Sequence, residues 1–180
     1  MRIVKGKHAN RQLTSPGRGV RPTTETARDR VLELLADDLK GARVVDLFAG
    51  SGALGLEAVS RGAKYADFVE NGRRALHSLK ANIAALREQQ RCRIYKRDAI
   101  PFTEALKAGA YDIAFADPPY GSRKLDRVLA HWQATQFSAI LVLEHRNDHE
   151  IVAKGKKQYD FEGDTRVTVL RVGQAPKNRS

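Results

Sequence analysis

Short apolar runs alternate along this chain with segments of helical periodicity. Seven runs predict β-strands, at residues 43–48, 65–70, 91–96, 111–117, 139–145, 158–161 and 165–172. Between several of them, apolar side chains recur every three or four residues, and Asn71 is expected to cap the helix that follows the second run. Strands that alternate with helices indicate βαβ units and a mainly parallel sheet, so the predicted fold class is α/β.

Both ends of the chain depart from this alternation. Residues 162–164 join the last two runs by a short hairpin-like connection, which predicts an antiparallel strand pair at the end of the sheet. At the start, residues 2–4 and 11–13 are expected to pair as a small hairpin, and a helix is expected from about Thr24 to Asp37. We therefore divide the chain into an N-terminal appendage (residues 1–40), a sheet domain (residues 41–172) and a tail (residues 173–180).

Composition narrows the class of protein. The chain has 180 residues, of which 42% are hydrophobic, and this fits one globular domain. No apolar run approaches the roughly 20 residues of a membrane-spanning helix, and no apolar signal region follows the basic N-terminus, so we expect a cytoplasmic protein. Cys92 is the one cysteine, which excludes an internal disulfide framework and a multi-cysteine zinc site, and we interpret it as a structural thiol.

Charge indicates the kind of partner. Lys and Arg number 32 against 21 Asp and Glu, a net charge of +11, and such an excess attracts polyanions, of which nucleic acid is the expected one. Basic residues concentrate in residues 1–21, which hold no acid, and in residues 73–97, where Glu88 is the one acid. These two segments form one phosphate-binding face only if they fold to the same side.

The turn after the first predicted strand has the spacing G-x-G-x-x-G, with glycines at positions 50, 52 and 55. Glycine is needed where a turn is tight and where backbone must approach a ligand, but nicotinamide, flavin and S-adenosylmethionine proteins share this pattern.

Asp46 precedes the turn and is placed to anchor a ligand amine or a water molecule. Glu70 ends the second strand, where it can accept from both ribose hydroxyls, which argues against NADP. Asp98 follows the third strand and is placed to accept from an adenine amino group.

The sequence Asp117-Pro118-Pro119-Tyr120 ends the fourth predicted strand. The two prolines fix the backbone, so that the Asp117 carboxylate and the Pro118 carbonyl are held as two adjacent acceptors. Two acceptors suit an exocyclic NH₂ group, and they let its nitrogen pyramidalise and direct a lone pair at an electrophile. Tyr120 supplies a ring on which a base can stack. The motif therefore predicts methylation of an amino group on a nucleobase.

In these two motifs the chain resembles class I S-adenosylmethionine-dependent methyltransferases that act on nucleobase nitrogens. It is similar in particular to the bacterial small-subunit ribosomal RNA guanine-N2 methyltransferases. That resemblance also rests on Arg2-Ile3, Gly6, Arg11 and Leu13, on Arg21-Pro22-Thr23 with Arg28, and on residues 50–58 and 60–63. It implies a Rossmann-like class I methyltransferase sheet, S-adenosylmethionine as cofactor, and 16S ribosomal RNA as substrate, in the small subunit or an assembly intermediate.

The resemblance, together with the reasoning above, gives three sets of site residues. The catalytic set is Asp117, Pro118 and Tyr120. The cofactor-binding set is Asp46, Phe48, Gly50, Gly52, Glu70, Asp98 and Ala99. The RNA-binding set is Lys5, Lys7, Arg11, Arg21 and Arg28. No metal is expected, because His145 and His149 lack a third anchored ligand, and the expected oligomeric state is a monomer.

The chain departs from the family pattern after Arg28, where Asp29 and Glu33 replace the usual Glu and amide residues. Glu33 puts in doubt any contact that the amide makes with the cofactor or with neighbouring backbone. Three other functions stay open at this point: a DNA adenine-N6 or cytosine-N4 methyltransferase, an inactive RNA-binding assembly module, and a nicotinamide enzyme.

Overall fold

A computed structural model of the protein describes residues 1–15, 17 and 24–173, and it places seven strands in one sheet. Arg21 and the tail from residue 174 lie outside the described residues. The strands are β1 (Arg43–Asp46), β2 (Tyr65–Val69), β3 (Cys92–Tyr95), β4 (Tyr111–Ala116), β5 (Ser138–Arg146), β6 (Lys157–Asp160) and β7 (Thr165–Arg171). Their order across the sheet is β3-β2-β1-β4-β5-β7-β6, with β7 antiparallel to both β5 and β6 and the other pairs parallel. The predicted α/β class and the antiparallel C-terminal pair are confirmed.

Six helices accompany the described part of the sheet: α1 (Glu25–Leu34), α2 (Ala36–Leu39), α3 (Ala53–Ser60), α4 (Arg73–Leu86), α5 (Ala99–Glu104) and α6 (Lys124–Thr135). The helix expected over residues 24–37 is interrupted at Leu35, which ends α1 and precedes α2. Asn71 does not cap α4, and that prediction is wrong: Gly72 is the N-cap, and the Glu70 carboxylate accepts from the backbone N–H groups of both Asn71 and Gly72. Within the described residues, no helix is long and apolar enough to cross a membrane.

The helices cover both faces of the sheet and enclose two apolar cores. One core combines Val44 and Phe115 with side chains of α1 to α4, and the other combines Leu141 with side chains of α5 and α6. Strands buried on both faces need apolar residues at successive positions, and this is why they read as continuous apolar runs in the sequence. Ile3 and Leu13 belong to the first core, so residues 1–15, which we call the N-terminal segment, pack against the sheet domain.

A buried acid anchors the N-terminal segment. Glu57 of α3 is fully buried and accepts hydrogen bonds from the backbone N–H groups of Val4 and Lys5, both at 2.8 Å. Its carboxylate also pairs with the guanidinium groups of Arg28 at 3.3 Å and Arg61 at 2.8 Å. Residues 2–4 and 11–13 meet through a single antiparallel bridge, Arg2 to Gln12, and through neighbouring backbone hydrogen bonds. The predicted hairpin therefore forms, but it is too short to count as two strands.

A second buried acid links the N-terminal segment to the end of α4. The Glu88 carboxylate accepts from Lys7 Nζ at 3.0 Å, His8 Nε2 at 2.6 Å and Arg91 Nη2 at 2.6 Å, and its side chain is 4% exposed. Burial alone would raise the pKa of the Glu88 carboxyl, but hydrogen bonds from Arg91, His8 and Lys7 outweigh burial and lower this pKa to about 2.

We expect this cluster to make folding stability depend on pH in the acid range. Because the pKa of Glu88 is lower in the folded chain than in the unfolded chain, its contribution is complete above about pH 4.5 and is lost as pH falls toward 2. The shift corresponds to about 3 kcal/mol. Urea unfolding at pH 7 and pH 3 checks this: the stability gap between the native protein and Glu88→Gln should be smaller at pH 3. An equal gap at both pH values would contradict it.

Candidate active site

The carboxyl ends of the parallel strands meet at one edge of the sheet, and the candidate site lies there. Asp46 pairs with Phe115 in the register of β1 and β4, and Ala116 pairs with Leu143 in the register of β4 and β5. The residues that follow Ala116 and Leu143 are therefore neighbours on adjacent strands. Ligands bind in this position in open α/β sheets.

The glycine turn between β1 and α3 packs tightly on one side and is open on the other. Gly52 has φ +79°, and a Cβ there would collide with Leu79, while a Cβ at Gly55 would lie 2.5 Å from the Phe68 ring. Gly50 has φ +53°, and a Cβ there would meet no atom within 4 Å. Two glycines are thus required for packing, and the third leaves its backbone exposed to a ligand.

Asp46 lies beneath this turn and is buried. Its Oδ2 is 3.4 Å from the backbone N of Gly55, which donates to it. The pKa of Asp46 is raised to about 7, mainly by burial and in smaller part by the nearby Glu70 carboxylate, while the backbone N–H groups of Gly55 and Phe48 oppose the shift. The carboxyl group therefore titrates near neutral pH and responds to the charge of whatever occupies the site.

Glu70 connects the glycine turn to the end of β2. Its carboxylate accepts from the backbone N of Gly50 at 2.8 Å, of Asn71 at 2.9 Å and of Gly72 at 2.6 Å, and the residue is half-buried. These bonds hold the carboxylate beside the open backbone of Gly50. An acid in this position is suited to accept from ribose hydroxyls.

Asp98 and Lys124 form an ion pair on the other side of the turn. Asp98 caps α5 by accepting from Ile100 N at 2.9 Å, and it pairs with Lys124 Nζ at 3.2 Å. The Ile100 N–H and the Lys124 ammonium together lower the pKa of Asp98. Lys124 Nζ also lies 5.9 Å from the centre of the Phe48 ring. Sequence reasoning missed Lys124, because nothing in its local sequence relates it to Asp98.

Pro118, Pro119 and Tyr120 of the motif line a cleft of about 470 Å³, and Asp117 lines a smaller pocket that shares Glu144 with it. Pro118 is buried, and Tyr120 is 36% exposed, with its hydroxyl 3.4 Å from Thr165 Oγ1. The opposite wall comes from the end of β5 and the residues after it, including Glu144, Arg146 and His149. The cleft is large enough to receive a single base, and Glu144 is a wall residue that sequence reasoning did not select.

Neither histidine of the cleft wall is arranged as a metal ligand. His145 is buried, its Nδ1 donates to the Arg146 carbonyl and its Nε2 accepts from Thr168 Oγ1, both at 2.8 Å. Burial lowers the pKa of His145, so it is neutral at pH 7. His149 Nε2 lies 2.9 Å from the Asp126 carboxylate. In the described part of the chain, no three His, Cys, Asp or Glu side chains group as a metal site.

Cys92 is a half-buried thiol at the start of β3. Burial raises its pKa to about 12, so the thiol stays protonated at neutral pH. A protonated thiol is a poor nucleophile, and this fits the interpretation of Cys92 as structural.

The two basic segments lie on the same side of the fold. Asn82 of α4 accepts from the backbone N of Thr14 at 2.7 Å and donates to its carbonyl at 3.0 Å, and Glu88 binds Lys7. Arg11 and Lys80 are exposed, and neither makes an ion pair with a described residue. We call the surface formed by Lys7, Arg11, Lys80 and Arg87 the basic face.

Two of the predicted RNA-binding residues are placed differently from expectation. Arg28 is fully buried, where it pairs with Glu57 and donates to the Arg2 carbonyl, so its guanidinium does not face the surface on which RNA would lie. Lys5 is exposed, but its ammonium binds Glu33 at 2.6 Å and Asp29 at 3.2 Å. These two acids are the departures from the family pattern, and they neutralise Lys5.

Residues 1–166 match the profile of a family described as conserved hypothetical protein 95. A putative rRNA methyltransferase, YlbH of Bacillus subtilis, is 32% identical over 160 residues, which cover 84% of this chain and 85% of that protein. Ribosomal RNA small subunit methyltransferase D of Escherichia coli is 37% identical over 130 residues, 72% of this chain and 65% of that protein. The second alignment thus spans just under two thirds of the Escherichia coli relative.

Solved structures agree with these relationships. A putative methyltransferase from Escherichia coli, yhhF, superimposes with a TM-score of 0.81 at 28% identity, covering 95% of this chain and 97% of that chain. A hypothetical protein of Thermus thermophilus superimposes with a TM-score of 0.79 at 26% identity, covering 96% and 99% of the two chains.

Proposed function

Since the chain belongs to the conserved hypothetical protein 95 family, we propose that it methylates ribosomal RNA with S-adenosylmethionine as methyl donor. More finely, we propose the exocyclic N2 amine of a guanine in 16S ribosomal RNA as the acceptor, in the small subunit or an assembly intermediate. The observation that carries the proposal is the Asp117–Tyr120 motif, of which Pro118, Pro119 and Tyr120 line a base-sized cleft at the carboxyl ends of the strands. The rRNA methyltransferase names of the curated relatives support the same class of substrate.

The residues around the glycine turn fit S-adenosylmethionine, which supplies a methyl group on a positively charged sulfur. Gly50 leaves room for the ligand to approach the backbone, Gly52 lets the turn pack tightly beside it, and Glu70 is held where it can accept from the ribose hydroxyls. Asp46 is placed to balance the positive charge of the ligand. On the other side of the turn, we propose that Asp98, the Phe48 ring and Ala99, which is buried in the first turn of α5, form the wall that receives the adenine.

The catalytic residues position the amine of the base. The Asp117 carboxylate and the Pro118 carbonyl accept its two N–H groups, so that the nitrogen lone pair points toward the methyl group. The new N–C bond forms as the S–C bond breaks, which leaves S-adenosylhomocysteine as product. The surplus proton on N2 passes to Asp117 and from there to water. Tyr120 stacks on the base, which is flipped out of its surroundings.

The basic face is the proposed contact for the RNA backbone, and residues 1–40 are the appendage that supplies part of it. We propose the same role for Arg11 and for Lys7, which pairs with Glu88 but keeps a side chain that is 65% exposed, and we add Lys80 and Arg87 of the α4 segment. Lys5 lies next to this face, but its pairing with Glu33 and Asp29 weakens its attraction for phosphate. We propose a monomer, since nothing in this arrangement requires a second chain.

Removing two cations from the basic face should weaken RNA binding and its dependence on salt. For Arg11→Gln with Lys80→Gln, we expect affinity for a 16S ribosomal RNA fragment to fall several-fold. The negative slope of the logarithm of the association constant against log salt should become shallower by about 1.5. Fluorescence anisotropy at several salt concentrations measures both quantities. The control is Lys107→Gln with Lys154→Gln, two exposed lysines on the α5–α6 side. Equal losses in both double variants would move the RNA contact off the basic face.

A transfer assay tests the substrate class. The purified protein is incubated with labelled S-adenosylmethionine and, in parallel, with naked 16S ribosomal RNA, undermethylated small subunits and DNA. Label in the ribosomal samples alone supports the proposal. Label in DNA would favour a DNA amino-methyltransferase, and binding of the methyl donor without any transfer would favour an inactive RNA-binding module.

A further inference from the structure

A second acid stands beside the catalytic motif. Glu144 follows Leu143 on β5, just as Asp117 follows Ala116 on β4, and Ala116 and Leu143 are paired in the parallel register. Neighbouring strands lie about 4.8 Å apart, so the two carboxylates start from adjacent positions at the mouth of the cleft. Glu144 lines the large cleft together with Pro118 and Tyr120, and it also lines a smaller pocket together with Asp117.

A buried cation stands behind these two acids. Arg28 lines the smaller pocket with Asp117 and Glu144, and its side chain is fully buried. Its Nε binds Glu57 and its Nη2 donates to the Arg2 carbonyl, but its buried Nη1 has no hydrogen-bond partner in the described structure. A guanidinium with an unused donor in this pocket attracts negative charge.

The edge of guanine differs from that of the other amino-bearing bases at one atom beside the amine. In guanine, the ring nitrogen N1 next to the 2-amino group carries a hydrogen and is a donor. In adenine and cytosine, the ring nitrogen next to the amino group is an acceptor. A site that places a carboxylate beside the two acceptors for the amine therefore accepts guanine and repels the lone pair of adenine or cytosine.

We propose that Glu144 is the residue that selects guanine, by accepting the N1 hydrogen while Asp117 and Pro118 hold the N2 amine. Arg28 supports this role from within the fold, because its buried Nη1 is a donor without a partner in the described structure, in the pocket that both acids line. This inference rests on the proposed function of the site, and it adds to that function the group that distinguishes guanine from adenine and cytosine.

The test compares guanine with 2-aminopurine at the methylated position of an RNA substrate, once that position is mapped. 2-Aminopurine keeps the 2-amino group, but its N1 is an acceptor. We expect the native protein to prefer guanine strongly in kcat/KM. In Glu144→Gln, guanine loses the carboxylate that accepts its N1 hydrogen, so kcat/KM for guanine should fall roughly tenfold to a hundredfold. The amide NH₂ of the variant can instead donate to N1 of 2-aminopurine. The preference for guanine should fall at least as much, because 2-aminopurine gains a donor.

The control is Glu150→Gln, the same chemical change at an exposed acid outside the cleft, which should leave the preference unchanged. Equal losses on both bases in Glu144→Gln, or no loss on guanine, would overturn the role of Glu144 while leaving guanine methylation intact. If the native protein methylates no guanine in ribosomal RNA, the proposed function itself fails. If the native protein methylates guanine but the Glu144→Gln results contradict expectation, only the role of Glu144 fails.

Discussion

Replacing Asp117 by alanine is expected to lower the rate of methyl transfer by roughly 10²–10⁴-fold, because the amine loses both an acceptor and the group that takes its proton. Affinity for the methyl donor should stay within a few-fold of the native value, since the glycine turn follows β1 and Glu70 follows β2, whereas Asp117 follows β4. Single-turnover rates with saturating RNA measure the first quantity, and calorimetric titration with S-adenosylhomocysteine measures the second.

Asp126→Ala is the matched control, because this exposed aspartate of α6 contacts His149 and not the motif. Its transfer rate should equal that of the native protein. Native turnover by Asp117→Ala would remove Asp117 from the catalytic set. Loss of S-adenosylhomocysteine binding in that variant would show that the substitution damages the cofactor site as well.

Replacing Glu57 by alanine is expected to destabilise the fold by about 3–5 kcal/mol, because it leaves the buried Arg28 guanidinium without its counter-charge. The backbone N–H groups of Val4 and Lys5 lose their acceptor as well, so the N-terminal segment should detach first. Urea unfolding at pH 7 measures the loss of stability. Hydrogen exchange at residues 3–5 reports the detachment.

Glu104→Ala removes an acid of the same type from an exposed pair with Arg127. Such surface pairs contribute about 0–1 kcal/mol, so this variant should unfold close to the native midpoint. A loss below 1 kcal/mol in Glu57→Ala would show that Glu57 does not hold the N-terminal segment in place.

The order of strands and helices follows from the sequence because the central strands are buried on two faces. Residues 111–117 and 139–145 hold apolar side chains at successive positions, and the structure places β4 and β5 there. The position of the site follows for a related reason: Asp46, Glu70 and Asp117 each stand at the carboxyl end of a parallel strand, and those ends meet at one edge.

What the sequence does not show is which charged residues become buried partners. Arg28 reads as a surface cation, because Glu57, the acid that neutralises it, lies 29 residues further along the chain. Lys124 and Asp98 are separated by 26 residues, and only the packing of α5 against α6 brings them together. Glu144 has no local motif, and its place beside Asp117 depends on the register of β4 and β5.

The most direct test of the account is the chemical identity of the methylated nucleoside. Undermethylated small subunits are treated with the protein and S-adenosylmethionine, their 16S RNA is digested to nucleosides, and the products are separated and identified by mass spectrometry. We expect N2-methylguanosine at one mapped position, absent when Asp117→Ala replaces the native protein. A different methylated nucleoside, or none, would contradict it.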